Sequence, residues 1–308
     1  MHEIKMPNDS SSDCFDSIAY SMLKYHDYDY EAYNIKYFYT DYYCSSDNCI
    51  IRGEERNDIL KYIYNVDVIS KDKDASLNLS KKITDLTDKV PIGIFIDLYY
   101  CPWSPFFNRT YFTHCLLIVD VDDENKKYLC FDVYFNKIGY VEVDMDIIHE
   151  HYESYFIFDF EKATQVKIEL LLGRINDSIR NFDSDTSNKA LKMYNFFTSN
   201  DKNILFPGDL DTSIHLVNLT WIVEDKKHFS IALRYIEKRL GVVVFTPIYE
   251  LLSDSEKMFS ILTSILIKYN LTGVLKEEKL KGIINQIYLT DDLIINQMKT
   301  ILRRIDFN

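Results

Sequence analysis

Four strand-like segments in a row are the feature of this sequence that most constrains its fold. Between Pro91 and Asp144 the chain contains PIGIFIDLYY, THCLLIVDVD, KYLCFDVYF and KIGYVEVD, all rich in β-branched and aromatic residues. The polar stretch DDENKK, between the second and third segments, predicts a hairpin turn. We therefore expect an antiparallel sheet in the first half of the chain.

The segments on either side of these strands have helical periodicity instead. In residues 14–26, Phe15, Ile18, Ala19 and Met22 are spaced so that they form one apolar stripe on a helix. In residues 57–69 a short helix is predicted to lead into a strand, VDVI. Further helical segments are predicted over 76–89, and then over 163–180, 188–198, 228–240, 244–270 and 280–304. The pattern predicts an α+β protein with a first domain over 1–160 and a mainly helical second domain over 161–308.

Charge and hydropathy narrow the classes of function. The formal net charge of −13 argues against nonspecific nucleic-acid binding, which needs a surplus of Lys and Arg. The opening residues 1–5 lack the apolar core of a signal peptide, and no run approaches about 18 uninterrupted apolar residues. We therefore expect a cytoplasmic protein that binds neither nucleic acid nor membrane.

The cysteines are expected to be thiols, because disulfides are rare in cytoplasmic proteins. Cys44 and Cys49 flank a polar turn that resembles half of a zinc site, but no second ligand pair has a matching spacing, so no metal is predicted. Free cysteine is among the most buried residue types, and core packing is the default interpretation for Cys101, Cys115 and Cys130.

Cys14 has a setting that suits a nucleophile. It is predicted to be the first residue of the 14–26 helix, with Asp13 as the N-cap. A helix N-terminus carries a partial positive charge that stabilises a thiolate. Because Asp13 and Asp16 oppose that effect, a neighbouring imidazolium has to supply most of the stabilisation.

His114 and Asp132 are the predicted partners of Cys14, on two strands joined by a hairpin. If the turn is centred on Asp123, directly paired residues have numbers that add up to 246, as 114 and 132 do. Opposed residues point to the same face with Cβ atoms about 4.5–5.5 Å apart, so Asp132 would orient His114. The expectation requires a turn of three or five residues, because a turn of four makes the sum odd.

Two further groups complete the predicted site. Asn8, six residues before Cys14, is predicted to donate its amide to an oxyanion, and a hydroxyl from Ser10, Ser11 or Ser12 is the alternative. Aromatic and polar residues ahead of His114 are predicted to line a substrate pocket for an acyl chain or an aromatic acid, with one arginine facing an anionic carrier arm: Tyr99, Tyr100, Trp103, Phe106, Phe107 and Arg109.

The segment NDSSSDCFDSIAYSML, followed by PIGIFIDLYY and THCLLIVDVDDENKKYLCFD, resembles papain-like cysteine peptidases of the bacteriocin-processing type. It is also similar to the N-terminal domain of the butirosin biosynthesis acyltransferase and to the amide-forming cysteine-protease homologues of thiotemplated, closthioamide-type peptide pathways. The resemblance covers about half of the chain and implies a papain-like domain, a helix packed on an antiparallel sheet. The family pattern of glutamine, cysteine, histidine and aspartate falls on Asn8, Cys14, His114 and Asp132. Asn8 replaces the glutamine, and Phe15 stands where the peptidases often have glycine, which disfavours peptidase activity.

The expected function is therefore amide formation in secondary-metabolite biosynthesis. An acyl group would pass from the phosphopantetheine arm of an acyl or peptidyl carrier protein to Cys14 and then to a small amine, without any other cofactor. The second domain would serve substrate or carrier docking. Because carrier proteins are usually acidic, docking needs a basic patch, which is expected either at Arg52, Arg56, Lys81 and Lys82 or at Lys299, Arg303 and Arg304. The alternatives are hydrolysis as a peptidase, amidase or thioesterase with the same triad, and a non-catalytic binding or immunity protein.

Overall fold

A computed structural model describes residues 3–5, 14–38, 41–44, 49–52, 56–73, 90–133, 139–182, 186–199 and 214–305. The α-helices in these ranges, numbered in chain order, are α1 Cys14–Tyr25, α2 Arg56–Tyr64, α3 Met145–His151, α4 Ile168–Arg180, α5 Thr186–Ser199, α6 Ile214–Leu240, α7 Thr246–Thr272 and α8 Glu277–Ile305. The strands are β1 Asp41–Cys44, β2 Cys49–Arg52, β3 Asp67–Asp72, β4 Ile92–Asp97, β5 Thr113–Asp122, β6 Lys127–Asp132, β7 Gly139–Asp144 and β8 Tyr152–Asp159. Two 3₁₀ helices span Tyr30–Phe38 and Leu98–Tyr100, and the predicted α+β class is confirmed.

The chain forms two compact units. The sheet unit comprises Met1–Tyr30 and Asn57–Val166, and the helical unit comprises Glu31–Arg56 and Lys167–Asn308. The sequence-based boundary after residue 160 differs from this division by six residues at the junction, and it also assigned residues 31–56 to the first domain. These residues group with the helical unit because β1 lies against α5 and β2 lies against α6.

An antiparallel sheet of six strands, in the order β3-β8-β4-β5-β6-β7, organises the sheet unit. The four predicted strands are confirmed as β4 to β7, and the predicted hairpin turn joins β5 to β6. Strand β8, which the sequence analysis did not predict, pairs with both β3 and β4. Gly93 pairs with Phe156, and a Cβ atom at this glycine would overlap the Phe156 ring, so the position of that ring over the strand requires glycine here.

The two faces of the sheet bury different sets of side chains, as the period of two along a strand requires. Ile92, Ile94 and Ile96 of β4 share one apolar cluster with Leu116 and Ile118 of β5. On the opposite face Phe95 alternates with these residues, and helix α1 packs against β5. Every residue of α1 from 15 to 23 is buried, so the helix is enclosed on all sides rather than along the single predicted stripe.

The helical unit is built from long helices with a separate apolar core, and a half-buried glutamate fixes one of its connections. Glu237 of α6 accepts hydrogen bonds from the backbone amides of Val244 and Phe245, both at 2.7 Å, and from the hydroxyl of Tyr249 at 2.8 Å. Its carboxylate therefore fixes the connection between α6 and α7. The helices predicted beyond residue 160 are confirmed with shifted ends, whereas the one predicted over 76–89 lies outside the described residues.

Within the described ranges, none of the helices combines the length and the apolar character needed to cross a membrane.

Candidate active site

Helix α1 begins at Cys14, as the periodicity predicted. The next residue, Phe15, inserts its ring among Phe95, Phe156 and Phe158, with ring centroids 6.5, 5.3 and 5.8 Å away. This aromatic packing anchors the first turn of the helix to the sheet. It also explains why a large side chain directly follows Cys14.

His114 and Asp132 meet, but not by the predicted register. The turn has four residues, 123–126, and Asp122 pairs with Lys127, so the sum of paired numbers near the turn is odd. A β-bulge between Ile118 and Asp120 then inserts one extra residue and restores an even sum. The prediction that His114 and Asp132 are directly opposed is therefore wrong. If the pairing of β5 with β6 is continued by one more pair, Asp132 lies opposite residue 116. Residues 114 and 116 share a face of β5, and the two side chains meet along the diagonal.

The imidazole of His114 is held by a buried carboxylate. Its Nε2 lies 2.9 Å from Oδ1 of Asp132, and the two residues are 0% and 5% exposed. Burial, the largest influence, lowers the pKa of His114, but the hydrogen bond to Asp132 and the contact with Cys14 outweigh it and raise this pKa to about 9. This shift favours the imidazolium form of His114 at neutral pH.

Cys14 is partly exposed and interacts with both His114 and Cys115. A hydrogen bond with the Cys115 side chain is the largest influence and lowers the pKa of Cys14, while burial raises it. The hydrogen bond and charge of His114 and the backbone amide of Cys115 lower it further, so that the pKa lies well below that of an ordinary thiol. The two shifts together favour a thiolate–imidazolium pair at neutral pH.

Other cysteines in the sheet unit have the opposite character. Burial, followed by the charges of Asp132 and Asp97, raises the pKa of Cys101 to about 12. Burial likewise raises the pKa of Cys130 well above its ordinary value. Both thiols are buried, as predicted, and stay protonated at neutral pH. The electrostatic environment therefore distinguishes Cys14 from these neighbours.

Two residues in contact with the triad were not assigned to it from the sequence. Cys115, predicted only as core packing, is fully buried and also hydrogen-bonds to Cys14. Trp103, predicted as a pocket residue, donates its indole N–H to Oδ2 of Asp132 at 2.8 Å. The adjacency of Cys115 to His114 was the available signal for the first; no local pattern indicates the second.

The remaining predicted pocket residues occupy several environments. Tyr99 stacks on Tyr111 with ring centroids 4.4 Å apart, and Tyr100 stacks on His151 at 3.7 Å. Phe106 stacks on Phe112 at 5.9 Å. Phe107 and Arg109 are exposed. The structure thus places Trp103 of this group against the triad. Tyr99 and Tyr100, whose ring centroids are 5.1 Å apart, belong to one aromatic cluster with Tyr111 and His151.

The predicted oxyanion donor Asn8 lies outside the described residues, as do the side chains of the first predicted basic patch, Arg52, Arg56, Lys81 and Lys82. The second basic patch, Lys299, Arg303 and Arg304, is exposed in the last turns of α8. In the part of the chain that the structure describes, no group of three or more His, Cys, Asp or Glu side chains is arranged to hold a metal ion.

The chain matches none of the protein-family models and none of the curated proteins with which it was compared.

Proposed function

We propose that this protein is a cysteine-dependent acyltransferase that forms amide bonds through a thioester on Cys14. The observation that carries the proposal is the linked set of three groups: a thiol of lowered pKa, an imidazole that interacts with it, and a buried carboxylate 2.9 Å from that imidazole. The thiol, the imidazole and the carboxylate correspond, in this order, to the nucleophile, the base and the group that orients the base. A helix presenting the thiol beside a sheet that presents the other two groups supports a papain-like domain.

The first half-reaction would transfer the acyl group to the enzyme. The Cys14 thiolate attacks the carbonyl carbon of a carrier-protein thioester, and the negative charge moves to the carbonyl oxygen. When the tetrahedral intermediate collapses, the bond from carbon to the carrier sulfur breaks and His114 protonates the leaving thiolate. Amides at the N-terminus of α1 are suited to stabilise the oxyanion, together with the predicted donor Asn8.

The second half-reaction would release the amide. An amine attacks the Cys14 thioester, neutral His114 accepts the proton from the amine nitrogen, and the carbon–sulfur bond breaks to restore the thiolate–imidazolium pair. Exchange between thioesters is nearly isoenergetic and the amide is lower in free energy, so the sequence of steps is downhill without ATP. Asp132 would keep the imidazole in one tautomer and orientation throughout.

Burial within the triad favours transfer over hydrolysis. His114 and Asp132 are almost completely shielded from solvent, and Cys14 is the member with accessible surface. A base without direct access to bulk water activates an acceptor only when that acceptor is bound against it. Hydrolysis with the same three residues is the competing outcome that the experiment must separate.

Intact-protein mass spectrometry after incubation with acyl thioesters of a carrier protein tests the proposal. We expect a mass increment equal to the acyl group, located on Cys14 and absent from Cys14→Ala, whereas Cys101→Ala keeps it because that thiol is buried and protonated. Added amines should discharge the acyl group as amide. Release of free acid at the same rate with and without amines would instead identify a hydrolase, and a folded Cys14→Ala variant that still forms product would refute the covalent route.

A further inference from the structure

The carboxylate of Asp132 has two different donors, one on each oxygen. Oδ1 faces Nε2 of His114 at 2.9 Å, and Oδ2 accepts the indole N–H of Trp103 at 2.8 Å. An indole nitrogen only donates, so the direction of the second hydrogen bond is fixed. A proton on Oδ2 would point at the indole N–H, and this contact therefore favours the ionised carboxylate.

Because Asp132 lies diagonally across from His114, a second hydrogen bond to its carboxylate helps to hold it in place. Because the register sets Asp132 opposite residue 116, its side chain must reach sideways to His114. Diagonal neighbours in an antiparallel pair have Cα atoms about 7–8 Å apart, farther than directly opposed residues. A carboxylate held at one oxygen only could rotate away from the imidazole, whereas contacts at both oxygens fix its plane.

The loop that carries Trp103 is closed at its base. Oδ1 of Asp97 accepts hydrogen bonds from the amides of Tyr99 at 2.8 Å and Phe112 at 3.0 Å, and the Leu98 amide donates to the Phe112 carbonyl at 2.9 Å. The loop therefore starts and ends at one point at the end of β4. Trp103 also packs against the apolar cluster of the sheet, so its ring is held from two directions.

We propose that Trp103 is a positioning residue of the triad, whose indole N–H holds Asp132 ionised and aimed at His114. The inference rests on the proposed function, because a positioning role presupposes a reaction. The effect of Trp103 on the ionisation and orientation of the three side chains can nevertheless be tested without that reaction. Trp103 acts through Asp132 and His114 on Cys14, rather than only lining a pocket.

The test is the pH dependence of Cys14 alkylation by iodoacetamide, followed by peptide mass spectrometry, in Trp103→Phe. Loss of a hydrogen bond to a charged group is expected to lower the alkylation rate of Cys14 at pH 6 about tenfold and to move the profile to higher pH. Phe112→Leu is the matched control, because it removes aromatic packing from the same loop and cluster without removing a donor to Asp132. Its profile should coincide with that of the unmodified chain.

An unchanged profile in folded Trp103→Phe would overturn the inference and leave the indole with a packing role. If that variant does not fold, Trp103 is replaced by β-(3-benzothienyl)alanine, in which sulfur takes the place of the N–H. A Trp221→Phe background restricts the replacement to one position, since the chain has two tryptophans. Alkylation does not depend on acyl transfer, so a shifted profile without any acylation by carrier thioesters would support Trp103 and refute the proposed reaction separately.

Discussion

Replacing Asp132 by asparagine tests the electrostatic core of the site. The pKa of His114 is raised from 6.5 to about 9, which corresponds to about 3 kcal/mol in favour of the imidazolium. Asparagine removes the negative charge, and its single carbonyl oxygen cannot accept from both His114 and Trp103. Because burial still lowers the pKa of His114 and only the contact with Cys14 continues to raise it, we expect this pKa to fall toward its ordinary value in Asp132→Asn.

The consequence for the protonation state is large near neutral pH. At pH 7.5 a group with a pKa of about 9 is almost entirely protonated, whereas one with a pKa of 6.5 is protonated to only about a tenth. The Cys14 thiolate then loses the charge beside it, although its hydrogen bond with Cys115 remains. The pKa of Cys14 should therefore rise, without reaching that of an isolated buried thiol.

Two measurements follow this change directly: the histidine titration by NMR with ¹³C-labelled imidazoles, and the pH profile of Cys14 alkylation by iodoacetamide. Asp122→Asn, at the turn end of the same hairpin, changes the net charge equally and should leave both unchanged. If His114 still titrates near pH 9 in folded Asp132→Asn, the assignment of the raised pKa to this carboxylate is refuted.

Three further changes probe the surroundings of the triad and the helical unit. Cys115→Ala should raise the pKa of Cys14 while Cys115→Ser, which keeps a donor, preserves most of the effect; equal alkylation profiles for the two variants would contradict the hydrogen bond. Phe15→Ala should lower the free energy of unfolding by about 3–5 kcal/mol in urea titrations, because it opens a cavity between α1 and the sheet; a loss under about 1 kcal/mol would show that the ring is not an anchor. Lys226→Met leaves the buried Asp291 carboxylate without its 2.7 Å partner and should cost about 3–5 kcal/mol of unfolding free energy, whereas adding Asp291→Leu should recover most of that loss; no recovery would argue against an ion-pair origin.

The sequence predicted some strands of the sheet unit reliably and missed another. The step from strand pattern to sheet was reliable, because β4 to β7 have strand-forming residues throughout and the turn after β5 is strongly polar. Strand β8 was missed although YESYFIFD has the same composition, since it follows directly on helix α3 without a turn of its own. Its insertion between β3 and β4 joins residues far apart in sequence, which no local pattern specifies.

The triad illustrates the same limit at the level of single residues. Cys14 at a helix start, and His114 and Asp132 on neighbouring strands, follow from local periodicity and one hairpin. The arithmetic of the register was wrong in both of its steps, because the turn has four residues and the strand contains a bulge. The turn of four residues makes the sum of paired residue numbers odd, and the bulge makes it even again. The side chains of His114 and Asp132 therefore still lie on the same face of the sheet.

The sequence alone therefore determined helix α1, the strands β4 to β7 and the three groups that they carry, because helix and strand periods and turn chemistry act over a few residues. Only the tertiary structure decided how the groups are held: the diagonal reach of Asp132, the second donor from Trp103, and the hydrogen bond of Cys115 with Cys14. These contacts depend on the bulge, on the closure of a loop at Asp97 and on the packing of a helix against a sheet. Each of these features depends on the free energy gained when segments far apart in the sequence are buried against one another, and the sequence of one segment alone does not specify it.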